Sequence, residues 1–402
     1  MPSRRRVLQT ASVAIAGGST VAATTGGAET GQSAPDAWPM SRHDPAGTAH
    51  TTAAGPKDGV ELAWSHARTA WFRGTAEPIL AGGTLYAAGA GLLALDPETG
   101  TRRFGHPGPY DSSPARANTS LYTTETLGVP SQSGVVGLNG AGGIRLPVVG
   151  TVGTERWRRR TPDHRYPFAS VPGDRPTPVA ADGLVVTPTP DRESLVALDA
   201  DDGEVRWHAT PTTDDVGVTF TRPAVRDGVV YATAWPSQVS AYDLANGTRQ
   251  WHRELDEQLL MAPVATDSGV VVLSRESVRS LALADGSTQW RYGHGGNVTE
   301  STPAVGDGLV FAPTEDGTLD AVALDTGERA WRAPFDGDGS PVVGDGVVYA
   351  VRSRYELVAL DAATGVSRFR FEPEQVPLSP PVVADGRLYA ANRHRVLALE
   401  EP

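Results

Sequence analysis

The residue types best suited to binding a charged ligand are concentrated in one segment, from Arg158 to Pro176. On a chain whose formal charge is −12, guanidinium groups beside aromatic rings favour an anionic ligand or the acidic surface of a protein partner. The competing interpretation is a solvated loop whose aromatic rings pack locally. Arg165 and Arg175 are the candidate binding residues in this segment. Its imidazole and aromatic residues are His164, Tyr166 and Phe168.

No catalytic or metal-ligating residue is expected. The chain contains no cysteine, which excludes disulfides, thiolate metal sites and thiol nucleophiles. Its 9 histidines are scattered without metal-ligand spacing, and no serine lies in a nucleophile-elbow motif. A binding protein is therefore expected rather than an enzyme. Two runs have metal-like spacing but contain the ordinary residues of tight turns, namely Asp199-x-Asp201-Asp202 and Asp336-Gly337-Asp338-Gly339.

Features that recur about every 40 residues indicate a repeat fold. The first is a turn of the Asp-Gly type before β-branched and aromatic residues, a strong hairpin signal. The second is a proline before each turn, as expected at the start of an edge strand. The turns lie near Gly83, Ser120, Gly183, Gly228, Gly269, Gly308, Gly346 and Gly386. The prolines are Pro78, Pro114, Pro178, Pro223, Pro263, Pro303, Pro341 and Pro381.

Two further features mark the outer half of each repeat. One is an Ala-Leu-Asp-like triplet, with less regular members at Ala282-Leu283-Ala284 and Ala323-Leu324-Asp325. The other is an aromatic residue shortly after a turn glycine; the last repeat lacks one, but Trp64 precedes the first repeat. An amino-terminal strand would therefore complete the last repeat, whereas a solenoid would need polar caps at both ends. The sequence predicts an all-β, eight-bladed β-propeller of four-stranded antiparallel blades over residues 60–402, its last blade closed by an amino-terminal strand.

In a propeller, loops from several blades surround one mouth of a central channel. Arg222 is expected in a loop between blades, and Trp235 in a loop between a second and a third strand. Arginine and tryptophan are frequent interface anchors. We therefore expect an exposed binding site at this mouth, built from Arg165, Arg175, Arg222 and Trp235.

The amino terminus has the features of an export signal. Arg4 and Arg5 precede a short apolar stretch and then small residues, which resembles a twin-arginine signal peptide over residues 1–28; a basic tail is the alternative. Residues 29–59 are expected to be a linker and lead-in. No later stretch approaches the length of a membrane span, so an extracellular or cell-surface location is expected. Glycosylation-acceptor patterns begin at Asn118, Asn246 and Asn297.

The charge composition bears on partners and habitat. A formal charge of −12 argues against nucleic acid as a partner. Lys57 is the one lysine, so nearly all the positive charge is arginine. An acidic composition poor in lysine is typical of halophilic proteins, although a GC-rich genome also favours arginine codons. We expect a monomer.

The outer-strand pattern and the lead-in resemble a known superfamily. Ala197-x-Asp199-x-x-x-Gly203-x-x-x-Trp207 and the similar run from Ala359 to Phe369 resemble the tryptophan-docking motif of PQQ-repeat proteins. The segment from Trp38 to Asp44 is similar to the lead-in of many exported members, and the chain resembles a haloarchaeal-type member. The resemblance covers about residues 38–402 and implies a quinoprotein alcohol dehydrogenase-like propeller.

The resemblance implies two different activities. Quinoprotein alcohol dehydrogenases use PQQ with calcium, an aspartate base and a disulfide between adjacent cysteines. The disulfide is impossible here and no calcium ligands align, so PQQ and calcium are not expected as cofactors. The superfamily also includes a propeller lipoprotein that assists outer-membrane assembly, but its lipid-attachment cysteine is missing. The sequence favours an exported, non-catalytic scaffold that binds a protein partner or a small anionic ligand; a PQQ-dependent or other funnel-site enzyme is the alternative.

Overall fold

The chain is built from short β-strands joined by turns. The computed structural model describes residues 37–67, 76–110, 112–131, 134–147, 150–160, 177–189, 193–211, 218–259, 261–298, 301–314, 316–337 and 339–402. Over these ranges it contains no helix, and so none that could cross a membrane. The all-β prediction is confirmed.

Seven of the first nine strands in chain order form one large sheet. Two strands precede it, β1 (His50–Thr51) and β2 (Glu61–Ala67). The strands of the sheet are β3 (Ile79–Ala81), β4 (Thr84–Leu95), β5 (Arg102–Tyr110), β6 (Ala115–Ala117), β7 (Thr126–Ser131), β8 (Gly134–Leu146) and β9 (Gly150–Arg160). They form a seven-stranded sheet in the order β3-β4-β5-β9-β8-β7-β6.

The remaining strands form smaller sheets in which most successive strands pair antiparallel. The first two sheets contain β10 (Val179–Ala181), β11 (Leu184–Pro188), β12 (Leu195–Asp199) and β13 (Val205–Ala209), then β14 (Thr219–Phe220), β15 (Ala224–Arg226), β16 (Val229–Trp235), β17 (Gln238–Asp243) and β18 (Arg249–Glu254). The next two contain β19 (Val264–Ala265), β20 (Val270–Leu273), β21 (Ser277–Leu281) and β22 (Thr288–Gly293), then β23 (Ala304–Gly306), β24 (Leu309–Thr314), β25 (Thr318–Ala323) and β26 (Arg329–Pro334). The last two contain β27 (Val342–Gly344), β28 (Val347–Arg352), β29 (Glu356–Asp361) and β30 (Ser367–Phe371), then β31 (Val382–Ala384), β32 (Arg387–Ala391) and β33 (Arg395–Glu400). The exceptions are that β14 and β15 both pair with β16 and that β1 pairs in parallel with β27.

The last sheet takes its fourth strand from near the amino terminus. β2 pairs antiparallel with β33, beside β32 and β31. Trp64 lies near the small residue Ala398 in this pairing, as Trp251 lies opposite Ala241 between β18 and β17. β31 is also in contact with β3. The outer strand that the last repeat lacks in sequence is therefore β2.

Tight turns connect the first two strands of several sheets. Their aspartates have φ between 41° and 53°, and the following glycines have φ between 74° and 77°. Two consecutive residues in the left-handed region make a type I′ turn, whose twist matches that of the flanking strands. The prolines noted above directly precede the first strands, as Pro303 precedes β23 and Pro341 precedes β27. The aspartates are Asp182, Asp227, Asp307, Asp345 and Asp385.

Tryptophans on outer strands join neighbouring sheets. Trp207 Nε1 donates to the Leu244 carbonyl at 2.7 Å, and its ring covers Gly247. A Cβ at Gly247 would lie 2.7 Å from that ring, so the close approach requires glycine. This arrangement, called here the docking contact, fixes one sheet to the next. Its other donors, 2.8 to 2.9 Å from the accepting carbonyls, are Trp64, Trp157, Trp251, Trp290 and Trp331.

Two of the outer-strand triplets lie two residues earlier than predicted. The Gly286 N–H donates to the Ala282 carbonyl, as the Gly247 N–H donates to the Asp243 carbonyl. Ala282 is therefore the third residue of its triplet, and Ala323 has the same place before Gly327. The predicted triplets Ala282-Leu283-Ala284 and Ala323-Leu324-Asp325 are wrong. Small and apolar residues alternate through both stretches, and a shift of two preserves every side-chain direction in a strand.

Candidate functional site

Residues 38–54, called here the central segment, lie against the first strands of successive sheets. Trp38 exchanges two backbone hydrogen bonds with Leu80 of β3. Further along, its carbonyls accept N–H groups of β6, β15, β19, β23 and β27 in that order. The segment therefore follows the first strands in chain order and occupies the space between them. The carbonyls that accept these hydrogen bonds belong to Pro39, Pro45, Ala46, Thr48 and Ala49.

A tight turn shapes the middle of the central segment. The Asp44 carboxylate accepts the Thr48 N–H at 3.0 Å and also accepts the Thr48 hydroxyl. Burial alone would raise the pKa of Asp44, but hydrogen bonds from His43 and Thr48 hold it below its usual value. Gly47 has φ of 76°, and a Cβ there would lie 2.7 Å from Arg222 Nη1. Glycine thus permits both the turn and the approach of the guanidinium.

The buried Glu77 carboxylate accepts hydrogen bonds from the amino-terminal part of the central segment. Glu77 accepts hydrogen bonds from Trp38 Nε1 at 2.6 Å, Ser41 Oγ at 2.8 Å and the Arg42 N–H at 3.2 Å. Burial raises the pKa of Glu77, against the lowering effect of the Arg42 charge and of these donors. The Arg42 guanidinium donates to the carbonyls that precede β23 and β27. A buried glutamate with a raised pKa is a common catalytic feature, but here its polar contacts come from the chain's own segment.

Arg222, which shortly precedes β15, donates hydrogen bonds to backbone carbonyls of the central segment. Its Nη2 donates to the backbone carbonyls of Ser41 at 2.9 Å and Asp44 at 2.8 Å, and its Nη1 donates to that of Pro223. The residue is 7% exposed, and burial lowers the pKa of Arg222 to about 10, so it stays a cation at neutral pH. The expectation of an exposed charge at Arg222 is wrong, because the lead-in covers it.

The chain is similar in sequence to a known family of proteins. The family model described as outer membrane protein assembly factor BamB matches residues 148–276 and 274–401. The chain belongs to this family. BamB of Shewanella oneidensis is 31% identical over 144 residues, which are 32% of this chain and 36% of that protein. BamB of Yersinia pestis is 28% identical over 205 residues, 47% of this chain and 51% of that protein. The matched part of the chain thus spans about a third to a half of the length of these relatives.

Solved structures share the fold of this BamB-family chain at low identity. Quinohemoprotein alcohol dehydrogenase from Comamonas testosteroni has a TM-score of 0.69 at 15% identity, covering 91% of this chain and 80% of that one. BamB from Moraxella catarrhalis has a TM-score of 0.61 at 15% identity, covering 85% of this chain and 98% of that one. Likeness at such identity shows a propeller-like fold alone.

The predicted site residues of this BamB-family chain are only partly within the described ranges. Trp235 ends β16, is half-buried, and lies opposite Thr219. Since Thr219 shortly precedes Arg222, the structure brings Trp235 and Arg222 onto adjacent stretches of chain. Arg165 and Arg175 lie outside the described residues, as do the signal residues Arg4 and Arg5.

The glycosylation candidates and aspartate runs have ordinary surroundings. Asn118, Asn246 and Asn297 are exposed, and the Arg275 Nε donates to Asn297 Oδ1 at 2.6 Å. Among the described residues, no group of three or more histidine, aspartate and glutamate side chains is arranged to hold a metal. Asp201 instead accepts the N–H of Ser120 at 2.9 Å.

Sequence reasoning missed the role of the lead-in. Residues 29–59 were expected to be a linker and lead-in, yet Trp38, Ser41 and Arg42 are buried. A signal for this role was available: a tryptophan, and an Asp-Pro-Ala-Gly turn, are uncommon in a solvated linker. The pairing of Glu77 with these residues could not be anticipated, because it depends on where the segment folds back.

Proposed function

We propose that this chain is an exported, non-catalytic β-propeller that serves as a scaffold for a protein partner. The observation that carries the proposal is the central segment. It occupies the space between the first strands, and Glu77, Arg42 and Arg222 there make hydrogen bonds to other groups of the chain. The scaffold interpretation also agrees with the family, since curated relatives are named as outer membrane protein assembly factors.

The proposal includes a closed ring of eight blades. The seven-stranded sheet divides into β3–β5 and β6–β9, joined where Gly105 of β5 pairs with Val152 of β9. Each half has the first strands, turns and proline of one repeat. With the six smaller sheets these halves give eight units, and β2 on the last sheet supports closure between the two ends.

The partner is proposed to bind the loop face, defined as the connections that follow outer strands and those between second and third strands. Exposed arginines occur there, at Arg354 and Arg393, and at the adjoining end of β9, at Arg159 and Arg160, together with carboxylates such as Glu276. The opposite face carries the type I′ turns, in which the Asp227 side chain is 86% exposed. A partner with an acidic binding surface would therefore be favoured at the loop face and repelled at the other. Arg165, Arg175 and Trp235 belong to the loop face in this proposal.

Export through the twin-arginine route and adaptation to high salt complete the proposal. Changing Arg4 and Arg5 to lysine should leave precursor in the cytoplasm, because the signal is read as an address. Processing and secretion at the wild-type level would contradict this route, while the scaffold proposal would stand.

The binding test compares the two faces. Envelope proteins retained by the wild-type chain should be lost with the double variant Arg165→Glu, Arg175→Glu, since interface arginines make charge-assisted contacts. The matched control is Arg206→Glu, whose side chain is 54% exposed near an opposite-face turn. It should keep the retained proteins. Equal retention by both variants would overturn the loop-face proposal.

A separate assay addresses catalysis. Purified protein supplied with PQQ and calcium should not reduce a dye when alcohols or sugars are added. Saturable quinone binding with turnover would overturn the scaffold proposal in favour of a dehydrogenase.

A further inference from the structure

The two halves of the seven-stranded sheet meet without the docking contact that tryptophans make at six other places. Phe104 of β5 lies opposite Ala94, the place that Trp251 has opposite Ala241. A phenyl ring has no N–H to donate. The carbonyl that would accept an indole N–H belongs to Gly140, because Gly140 follows Asn139 as Leu244 follows Asp243 in a complete docking contact.

A different residue satisfies that carbonyl. The Tyr86 hydroxyl, from β4, donates to the Gly140 carbonyl. Burial raises the pKa of Tyr86 to about 12, so its hydroxyl remains a donor at neutral pH. Phe104 and Tyr86 together thus supply the aromatic packing and the hydrogen bond that one tryptophan supplies at six other junctions.

The end of β8 and the start of β9 extend beyond the usual length and pack against β5, where the two halves join. In place of a tight turn, the chain continues from Gly140 into a long hairpin in which Ile144 pairs with Val152. His106 of β5 supports this hairpin, and a Cβ at Gly153 would lie 2.2 Å from its ring. Burial lowers the pKa of His106 to about 4, so the imidazole is neutral and packs as an aromatic ring.

A cavity of about 490 Å³ remains at this junction, a volume within the usual range of ligand pockets. Tyr86, Phe104 and Leu127 form its apolar wall, and residues 140–143, three glycines and Ala141, line another side. Arg116 and Glu125, whose side chains pair at 2.5 Å, are also in the lining. The Arg103 side chain, also in the lining, is 40% exposed, so the cavity reaches solvent.

We infer that this cavity, called here the junction cavity, binds the indole side chain of a tryptophan supplied by a partner protein. The chain itself places an indole at the corresponding position of six other junctions. Aromatic walls suit the ring faces, and the Glu125 carboxylate suits an indole N–H, which is only a donor. The inference adds a site away from the loop face and extends the proposed scaffold function.

The probe is N-acetyl-tryptophanamide, followed by saturation-transfer difference NMR. It should bind with a Kd on the order of 1 mM, as expected for one buried side chain, and N-acetyl-leucinamide should bind at least tenfold more weakly. Phe104→Trp should supply the indole internally and reduce probe binding at least tenfold. Thr151→Tyr, on the cavity lining, should do the same without altering Phe104.

The matched control is Phe369→Trp, because Phe369 lies opposite Ala359 as Phe104 lies opposite Ala94; it should leave probe binding unchanged. Melting temperatures establish that each variant is folded. Equal probe binding by wild type, Phe104→Trp and Thr151→Tyr would overturn the inference, as would equal binding of the leucine and tryptophan probes. Retention of envelope proteins is measured separately, so failure here is distinguishable from failure of the scaffold proposal.

Discussion

Replacing Arg222 by methionine tests the structural role assigned to the central segment. Methionine keeps much of the side-chain length but removes every donor. The backbone carbonyls of Ser41, Asp44 and Pro223 would lose hydrogen bonds of 2.9, 2.8 and 3.0 Å. Exposed charges seldom affect stability, so a large effect is expected only because this guanidinium is buried.

The magnitude follows mainly from the Ser41 and Pro223 carbonyls, because the Asp44 carbonyl also accepts the Gly47 N–H at 3.1 Å and so keeps a partner. A buried polar group left without a partner costs about 1–3 kcal/mol, and removal of the guanidinium recovers part of its own desolvation penalty. The net loss in free energy of unfolding should be about 3–5 kcal/mol. With a urea m-value of about 3 kcal/mol/M, the unfolding midpoint should fall by about 1 M or more.

The assay is urea unfolding followed by tryptophan fluorescence in 2 M potassium chloride. Arg206→Met is the control, because the Arg206 side chain is 54% exposed and pairs with Asp199; it should change stability by less than about 1 kcal/mol. If Arg222→Met and Arg206→Met unfold at the same urea concentration, Arg222 does not hold the central segment as described.

Three further predictions concern pH, closure and salt. Burial would raise the pKa of Glu257, but hydrogen bonds from Ser274, Arg279, Arg291 and Ser277 lower it to about 2. Its stabilisation is complete above the unfolded value of 4.5 and is lost as pH falls toward 2, so Glu257→Gln should flatten the decline of stability between pH 5 and 2; an unchanged slope would contradict this. A chain starting at Ser65 should melt well below one starting at Trp38, because it lacks the central segment and most of β2; equal melting temperatures would argue against both roles. Stability should rise from 0.1 to 2 M potassium chloride, because salt screens the repulsion among excess negative charges; equal stability would refute the halophile interpretation.

The repeat pattern could be predicted from the sequence because it depends on local backbone chemistry. An Asp-Gly turn needs positive φ, and a proline such as Pro303 cannot donate within a sheet, so each marks its place without tertiary information. The same local character explains the error at Ala282 and Ala323. A period-two pattern is unchanged by a shift of two residues, and the three-dimensional docking of Trp251 over Gly286 fixed the register.

Much less of the candidate site could be predicted from the sequence. Sequence placed Arg222 in the expected loop but could not show that the lead-in would return to cover it. Exposure is a property of the whole fold, since Ser41 and Arg222 are separated by 181 positions and still form a hydrogen bond.

The amino-acid sequence alone determined the all-β class, the repeats and the absence of thiol chemistry, because these follow from residue type and short-range spacing. Tertiary structure alone decided that the central segment fills the space between the first strands and that Phe104 leaves a cavity at one junction. Both depend on contacts between distant parts of the chain, where packing and burial select among arrangements that local patterns leave equally possible.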